Sequence, residues 1–194
     1  MVRTRFIYND VLYEKVKVTN FNPHRIRFQL SVTFTADFLD MFAVRKIYQG
    51  TAGRMLPGEH TTEGSVFRYL GADGVKRSTS IRWSEPCAAN TEGHAVFEIE
   101  LEAGASREID FVFEPAVGGE QVRPAPPAQA LASLKKSYEQ WSAECMEVAS
   151  DHAVFDEMYR RSLLDLRALS TDFGFGTFPV AGLPWYAVPF GRDS

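Results

Sequence analysis

The chain has 194 residues, a formal net charge of −4, 45% hydrophobic residues and 24% charged residues. That balance suits a soluble globular chain with room for one domain and part of another, and it excludes a disordered or fibrous protein. The acidic balance argues against a nucleic-acid partner, and no apolar run approaches the ~20 residues that cross a bilayer.

At the N-terminus, Met1-Val2-Arg3-Thr4-Arg5 is basic, but Phe6-Ile7-Tyr8 runs straight into Asn9-Asp10, so no signal-peptide core forms. Two cysteines, Cys87 and Cys145, are too few for a disulfide framework, and a reducing cytoplasm is the expected compartment. His24, His60, His94 and His152 show no paired ligand spacing, so no metal is expected.

Leu12 to Val18 reads as a strand, followed by a turn at Asn20-Phe21-Asn22-Pro23. Ile26, Phe28, Leu30, Val32 and Phe34 then interleave with Arg25, Arg27, Gln29, Ser31 and Thr33. Such period-two alternation marks an antiparallel strand with one dry face and one wet face. The segment from Ala36 to Arg45 breaks the alternation. Asp37 and Asp40 lack a third oxygen ligand at loop spacing, so the segment reads as a corner with its aromatics turned inward. Gly50 through Gly64 reads as a loop, punctuated by Gly53, Pro57 and Gly58.

Ser65–Leu70 and Val75–Trp83 flank Gly71-Ala72-Asp73-Gly74, a hairpin whose Asp-Gly pair accepts positive φ. A second hairpin is expected between Phe97–Leu101 and Ile109–Phe113. Its acidic residues Glu98, Glu100, Glu102 and Asp110 fall on the solvent side of the alternation. Strands at this spacing make residues 1–114 an antiparallel β-sandwich. Residues 115–128, rich in Pro and Gly, read as a stiff linker.

Beyond the linker the period becomes helical. Leu131, Leu134, Tyr138, Trp141, Cys145 and Val148 form one stripe of a helix over 129–149. Ser150-Asp151 offers an N-cap to a second helix from His152 to Leu169, with Phe155, Met158, Tyr159, Leu163, Leu166 and Leu169 on one face. Gly174-Phe175-Gly176 follows no strand, which rejects a dinucleotide fingerprint. The last seventeen residues hold three prolines, two glycines and four aromatics, then close on Arg192-Asp193-Ser194. Proline there rules out both a regular helix and an inner strand. Aromatic faces beside an Arg-Asp pair suit a sugar or another polar ring.

Gly182-Leu183-Pro184-Trp185-Tyr186 followed by Pro189-Phe190-Gly191-Arg192-Asp193-Ser194 resembles the end motif of bacterial glycogen-debranching amylo-α-1,6-glucosidases. Asp37 to Arg45 is similar to that family's "DFxDxFEVR" segment, with Ala43 in place of an acidic residue. Arg161 to Arg167 is similar to its "RSLxDLR" helix. The resemblance implies the later part of a β-sandwich over 1–114, incomplete at its start, a linker helix over 129–149, and the start of a glucoamylase-like α/α barrel over 150–194.

It further implies that Arg192 and Asp193 hold hydroxyls of the glucose beside the scissile bond, with Trp185 as a wall of the pocket. A guanidinium donates and a carboxylate accepts, at about 1.5–3 kcal/mol per charged hydrogen bond. The plainer alternative is that Arg192 and Asp193 pair with each other or cap the next helix. Glycoside hydrolysis needs two carboxylates, about 6.5–9.5 Å apart for inversion. These are expected beyond Ser194, so no catalytic residue is assigned within the chain, and on its own the chain is expected to be inactive. The implied substrate is an α-glucan or oligosaccharide, and no cofactor is expected. The competing reading is a non-catalytic carbohydrate-binding or scaffold sandwich. An exposed aromatic row would favour it, whereas the alternation turns Phe28, Phe34, Phe111 and Phe113 inward.

Overall fold

The computed structural model describes residues 1–47, 53–121, 123–183 and 186–191. They fall into two compact units, Met1–Leu131 and Ala132–Ser194.

The first unit contains strands β1 (Val2–Tyr8), β2 (Val11–Thr19), β3 (Ile26–Thr33), β4 (Arg54–His60), β5 (Gly64–Leu70), β6 (Lys76–Trp83), β7 (Ala89–Thr91), β8 (His94–Leu101), β9 (Ser106–Val117) and β10 (Glu120–Gln121). One short helix, α1 (Met41–Val44), interrupts them. The larger sheet runs β1-β2-β9-β6-β5-β4, with β10 on β9, and the smaller runs β3-β8-β7. Every ladder is antiparallel.

Alternation decides what lies between the sheets. From β8, Ala95, Phe97, Ile99 and Leu101 point inward; from the larger sheet Val16, Ile81, Trp83, Ile109 and Phe111 meet them. Phe34 joins the buried set, and Phe28 and Phe113 pack against it. The four phenylalanines expected inside are therefore inside. Each large side chain removed from water contributes about 1.5–3 kcal/mol. Trp83 fits because its Nε1–H donates to the Thr62 carbonyl at 2.7 Å. The opposite face of the smaller sheet is wet. Arg27 bonds Glu100, Gln29 bonds Glu98 and Thr33 bonds His94, each across the β3–β8 ladder.

The β5–β6 hairpin forms as expected, with Gly74 at φ 73°. Arg77 and the Val75 amide both bond Asp73, and the Arg77 hydrogen bond brings the Asp73 carboxyl down to about 2.

Three expectations for the strands and the corner between them change. Phe97–Leu101 and Ile109–Phe113 are not a hairpin, because β8 pairs with β3 and β7 while β9 pairs with β2 and β6. Both strands carry an apolar face, and the chain crosses between sheets so that those faces meet. Of the loop expected from Gly50 to Gly64, residues 50–52 lie outside the described residues and the remainder contains β4, whose register shifts between Leu56 and Glu59. Pro57 and Gly58 sit in that bulge at the end of the sheet, where proline is tolerated. Finally, the corner at Asp37–Arg45 turns only part of its apolar surface inward. Phe38 stacks on Tyr69, with ring centroids 5.2 Å apart, but Leu39 and Phe42 are exposed. Asp40 Oδ1 accepts from the Phe42 and Ala43 amides and Asp37 Oδ1 from that of Leu39, so both carboxylates organise turns.

Helix α2 (Pro127–Glu144) opens with proline at its first position, where the missing N–H costs nothing. Ala130 in its first turns is fully buried with Val11 and Tyr13 on the outer face of the larger sheet. The Tyr13 hydroxyl donates to the Ala125 carbonyl at 3.1 Å, and burial raises its pKa.

In the second unit α2 ends at Glu144, short of the expected Ala149, so Cys145 and Val148 of the stripe lie outside it. Residues 145–151 form the connection to α3 (Ala153–Leu169), fastened where Tyr159 donates to the Met146 carbonyl at 2.8 Å. The cap of α3 is His152, whose Nδ1 accepts from the Phe155 amide. Ser150 instead donates its amide and hydroxyl to Asp156, which displaces the expected Ser150-Asp151 cap. Arg167 reaches from α3 to α2, with Nη2 3.0 Å from Ser137 Oγ and its guanidinium over the Tyr138 ring.

Candidate functional site

The three residues expected to grip a sugar, Trp185, Arg192 and Asp193, lie outside the described residues. The chain that carries them can be followed up to both gaps. After α3, β11 (Ser170–Asp172) pairs with β12 (Thr177–Pro179), and the glycines between them make its turn. Gly174 has φ 81° and donates its amide to Asp172 Oδ1, while the Phe173 amide donates to the Gly176 carbonyl. The Gly-x-Gly is thus hairpin geometry: contrary to expectation a strand, β11, does precede it, but the chain returns as β12 instead of opening the helix that a dinucleotide fingerprint needs.

A second closure follows immediately. Val180, buried, donates its amide to the Leu169 carbonyl at the end of α3. Ala181 bridges to Val188, and the Tyr186 amide returns to the Gly182 carbonyl at 3.0 Å. Gly182 needs its φ of 76°, and a Cβ there would sit 2.9 Å from the Tyr186 ring. The Ala181–Val188 bridge and the Tyr186–Gly182 hydrogen bond therefore hold residues 181–182 beside residues 186 and 188 as a neck. Leu183, Tyr186 and Phe190 are exposed around it, as is Phe175 on the preceding hairpin. This is a loop tied to a helix end that displays apolar and aromatic surface.

Other combinations of reactive residues serve the fold. Ser65, His60 and Asn90 converge: His60 Nδ1 and Asn90 Nδ2 each lie 3.0 Å from Ser65 Oγ. Ser65 is only 1% exposed and two other Asn90 contacts go to backbone carbonyls, so this network ties β4, β5 and β7 together and offers no accessible nucleophile. Sequence reading passed over it because the three residues sit on different strands.

Glu14, 5% exposed, is held by Arg3 and Arg5 of β1. Burial pushes its carboxyl up, hydrogen bonds from the two arginines pull it down, and the arginines prevail. Both cysteines are free, and burial raises the Cys87 thiol. Among the described residues no group of His, Cys, Asp and Glu could hold a metal ion, and no helix is long and apolar enough to cross a membrane.

Comparison with known proteins adds the following. A sequence model of the N-terminal domain of (some) glycogen debranching enzymes matches residues 1–112. No curated protein matches the chain. Among solved structures, a protein named for kojibiose phosphorylase, from human microbiome, is similar at a TM-score of 0.42 and 10% identity. The alignment covers 83% of this chain and 20% of that one.

Proposed function

Because the chain belongs to the family of N-terminal domains of glycogen debranching enzymes, we propose that it is the N-terminal portion of a glycoside hydrolase acting on α-1,6-glucosidic branches of glycogen or a related α-glucan. The match over residues 1–112 carries the reading. In it the β-sandwich is the leading domain, and residues 150–194 begin the helical barrel of the enzyme. Arg192 and Asp193 hold the hydroxyls of one glucosyl unit, and Trp185 walls the pocket. The tied neck at Ala181 and Val188 supports the role of Trp185, which falls between those two residues in the chain, because a loop fixed at its base can present a side chain in a set position. The acid and base come from carboxylates outside this chain, and the hydrolysis needs no metal or nucleotide. Free Cys87 and Cys145 fit a reducing, cytoplasmic setting.

The competing reading, a sandwich that binds glucan on a row of exposed aromatics, loses its platform. Phe34 and Phe111 are core residues, and Phe28 and Phe113 pack against them.

The test uses the enzyme that contains this chain, assayed on a branched α-glucan. Arg192→Ala and Asp193→Ala are each expected to lower kcat/KM by tens-fold, about 2 kcal/mol of lost transition-state binding. Wild-type kinetics in both variants overturns the site. The isolated chain is expected to release no glucose, and measurable release overturns the assignment of the carboxylates elsewhere.

A further inference from the structure

A groove of about 360 Å³ lies on the outer face of the larger sheet, over β4, β5, β6 and β9. Opposed residues in antiparallel strands share a face. Glu59 opposes Val66, Val66 opposes Ser80, and Ser80 opposes Glu114, so these four make one row across the groove. At the usual strand spacing that row is ~14 Å long. Ser78 opposes Ala116 in the next row, and Gly64 opposes Arg82 on the other side. The floor is therefore small side chains, with a carboxylate at each end.

Both the depth and the end wall have local causes. At Gly64 a Cβ would meet the Ile81 carbonyl at 2.6 Å, so the strands approach there only because the residue is glycine. The bulge at Pro57-Gly58 shifts the parity of β4 by one residue. Without it Gly58 would oppose Val66 and Glu59 would turn to the inner face. With it Glu59 faces the groove and His60 turns inward to Ser65.

The chemistry of the lining selects a ligand class. At one end Arg68 Nη2 lies 3.0 Å from Glu59 Oε2; at the other Arg82 Nε lies 2.8 Å from Glu114 Oε1. Each end thus offers acceptor and donor together with its charge neutralised, and Glu63, also in the lining, adds a carboxylate with no ion pair among the described residues, so the groove disfavours an anion. Between them the half-buried hydroxyls of Ser78 and Ser80 have no hydrogen-bond partner among the described residues. An apolar ligand would leave those hydroxyls unmatched, whereas a sugar hydroxyl both donates and accepts and satisfies them. Val66 and Ala116 supply small apolar contacts for the C–H face of a ring.

We propose that this groove is a subsite for an uncharged sugar, one or two glucosyl units of an α-glucan. The sugar class stands on the groove itself, while the α-glucan identity rests on the proposed function. With no aromatic in the lining, affinity is expected in the millimolar range, about −4 kcal/mol.

Titrating the isotopically labelled 194-residue chain with maltose and with cellobiose, followed by amide NMR, tests it. Saturable shifts with maltose at Val66, Ser78, Ser80 and Ala116 are expected. Ser78→Val/Ser80→Val keeps strand-forming residues and should weaken binding at least about fivefold. Ala116→Leu fills the groove without removing a hydrogen bond and should weaken it too. No saturable shift at these residues up to about 50 mM of either sugar overturns the subsite, as does wild-type affinity in both variants. Binding of cellobiose alone overturns the α-glucan assignment. None of these outcomes reads catalysis, so the proposed activity stands or falls by its own assay.

Discussion

Arg5 lies opposite Glu14 on the neighbouring strand and donates Nε to the buried Glu14 Oε1 at 3.0 Å, with Arg3 pairing to the same oxygen. All three point to the face of the larger sheet that also carries Val16 of the core. At the end of a sheet, inward-pointing charge makes the strand a poor template for further pairing. A carboxylate in this position is tolerated because two guanidiniums satisfy it.

That arrangement makes stability depend on acid pH. The Glu14 carboxyl is lowered in the folded chain, so its contribution is complete above the unfolded carboxylate value of about 4.3. It is lost as pH falls through the lower folded value. Glu14→Gln is expected to cost about 1–3 kcal/mol at pH 7, and the gap to wild type should shrink below about pH 4. Urea midpoints at both pH values check it. A gap that is the same at pH 7 and pH 3.5 contradicts the ion-pair account.

Trp83 sits among three phenylalanines, stacked on Phe34 at 5.8 Å between ring centroids and edge-on to Phe97 and Phe111. Trp83→Ala leaves a cavity and is expected to cost about 3–5 kcal/mol. Trp83→Phe fills most of that space and loses one of two hydrogen bonds to the Thr62 carbonyl, which keeps the Cys87 amide at 2.8 Å, at about 0.5–1.5 kcal/mol. Denaturant unfolding of the two variants should rank them in that order, and equal costs would remove cavity formation as the cause.

Two glycines with nearly the same backbone separate steric from conformational cost. Gly93 has φ 85° and a Cβ would meet the Phe67 ring at 2.7 Å and the Phe34 carbonyl at 2.8 Å. Gly104 has φ 73° and open space around it. Gly104→Ala should cost about 1 kcal/mol, the backbone part alone, and Gly93→Ala about 2–3 kcal/mol or more. Equal midpoint shifts would mean that the Phe67 ring moves aside freely.

The sandwich was legible in the sequence where one face is dry and the other wet. The alternation from Ile26 to Thr33 identifies both β3 and its buried side, because a strand with one buried face must repeat every two residues. β4 was not legible, since Pro57 and Gly58 read as loop punctuation and only its position at the end of the sheet makes them compatible with a strand. Nor could alternation tell which strands pair: Phe97 and Phe111 look like hairpin partners, yet their rings meet edge-on from opposite sheets, 5.9 Å apart. The proposed sugar contacts of Trp185, Arg192 and Asp193 rest on resemblance, because composition gives a turn without giving its partner. The groove left no linear trace. Ser78, Ser80, Glu59 and Glu114 are ordinary solvent-side residues until the ladder aligns them.

In the second unit Arg167 is the most specific tie between the two helices, bonded to Ser137 at 3.0 Å and 5.4 Å from the Tyr138 ring centre. Helix α3 has no fully buried residue, so few other contacts compensate for its loss. A hydrogen bond and a cation–π contact at a partly exposed site together contribute about 1–2 kcal/mol. Arg167→Ala should therefore accelerate hydrogen exchange of α3 amides about tenfold, while amides of β9, in the other unit, keep their protection. Arg167→Lys keeps the charge but not the planar fork, and should recover only part of the difference. Unchanged exchange in α3, or equal acceleration in β9, would show that Arg167 does not hold these helices together locally.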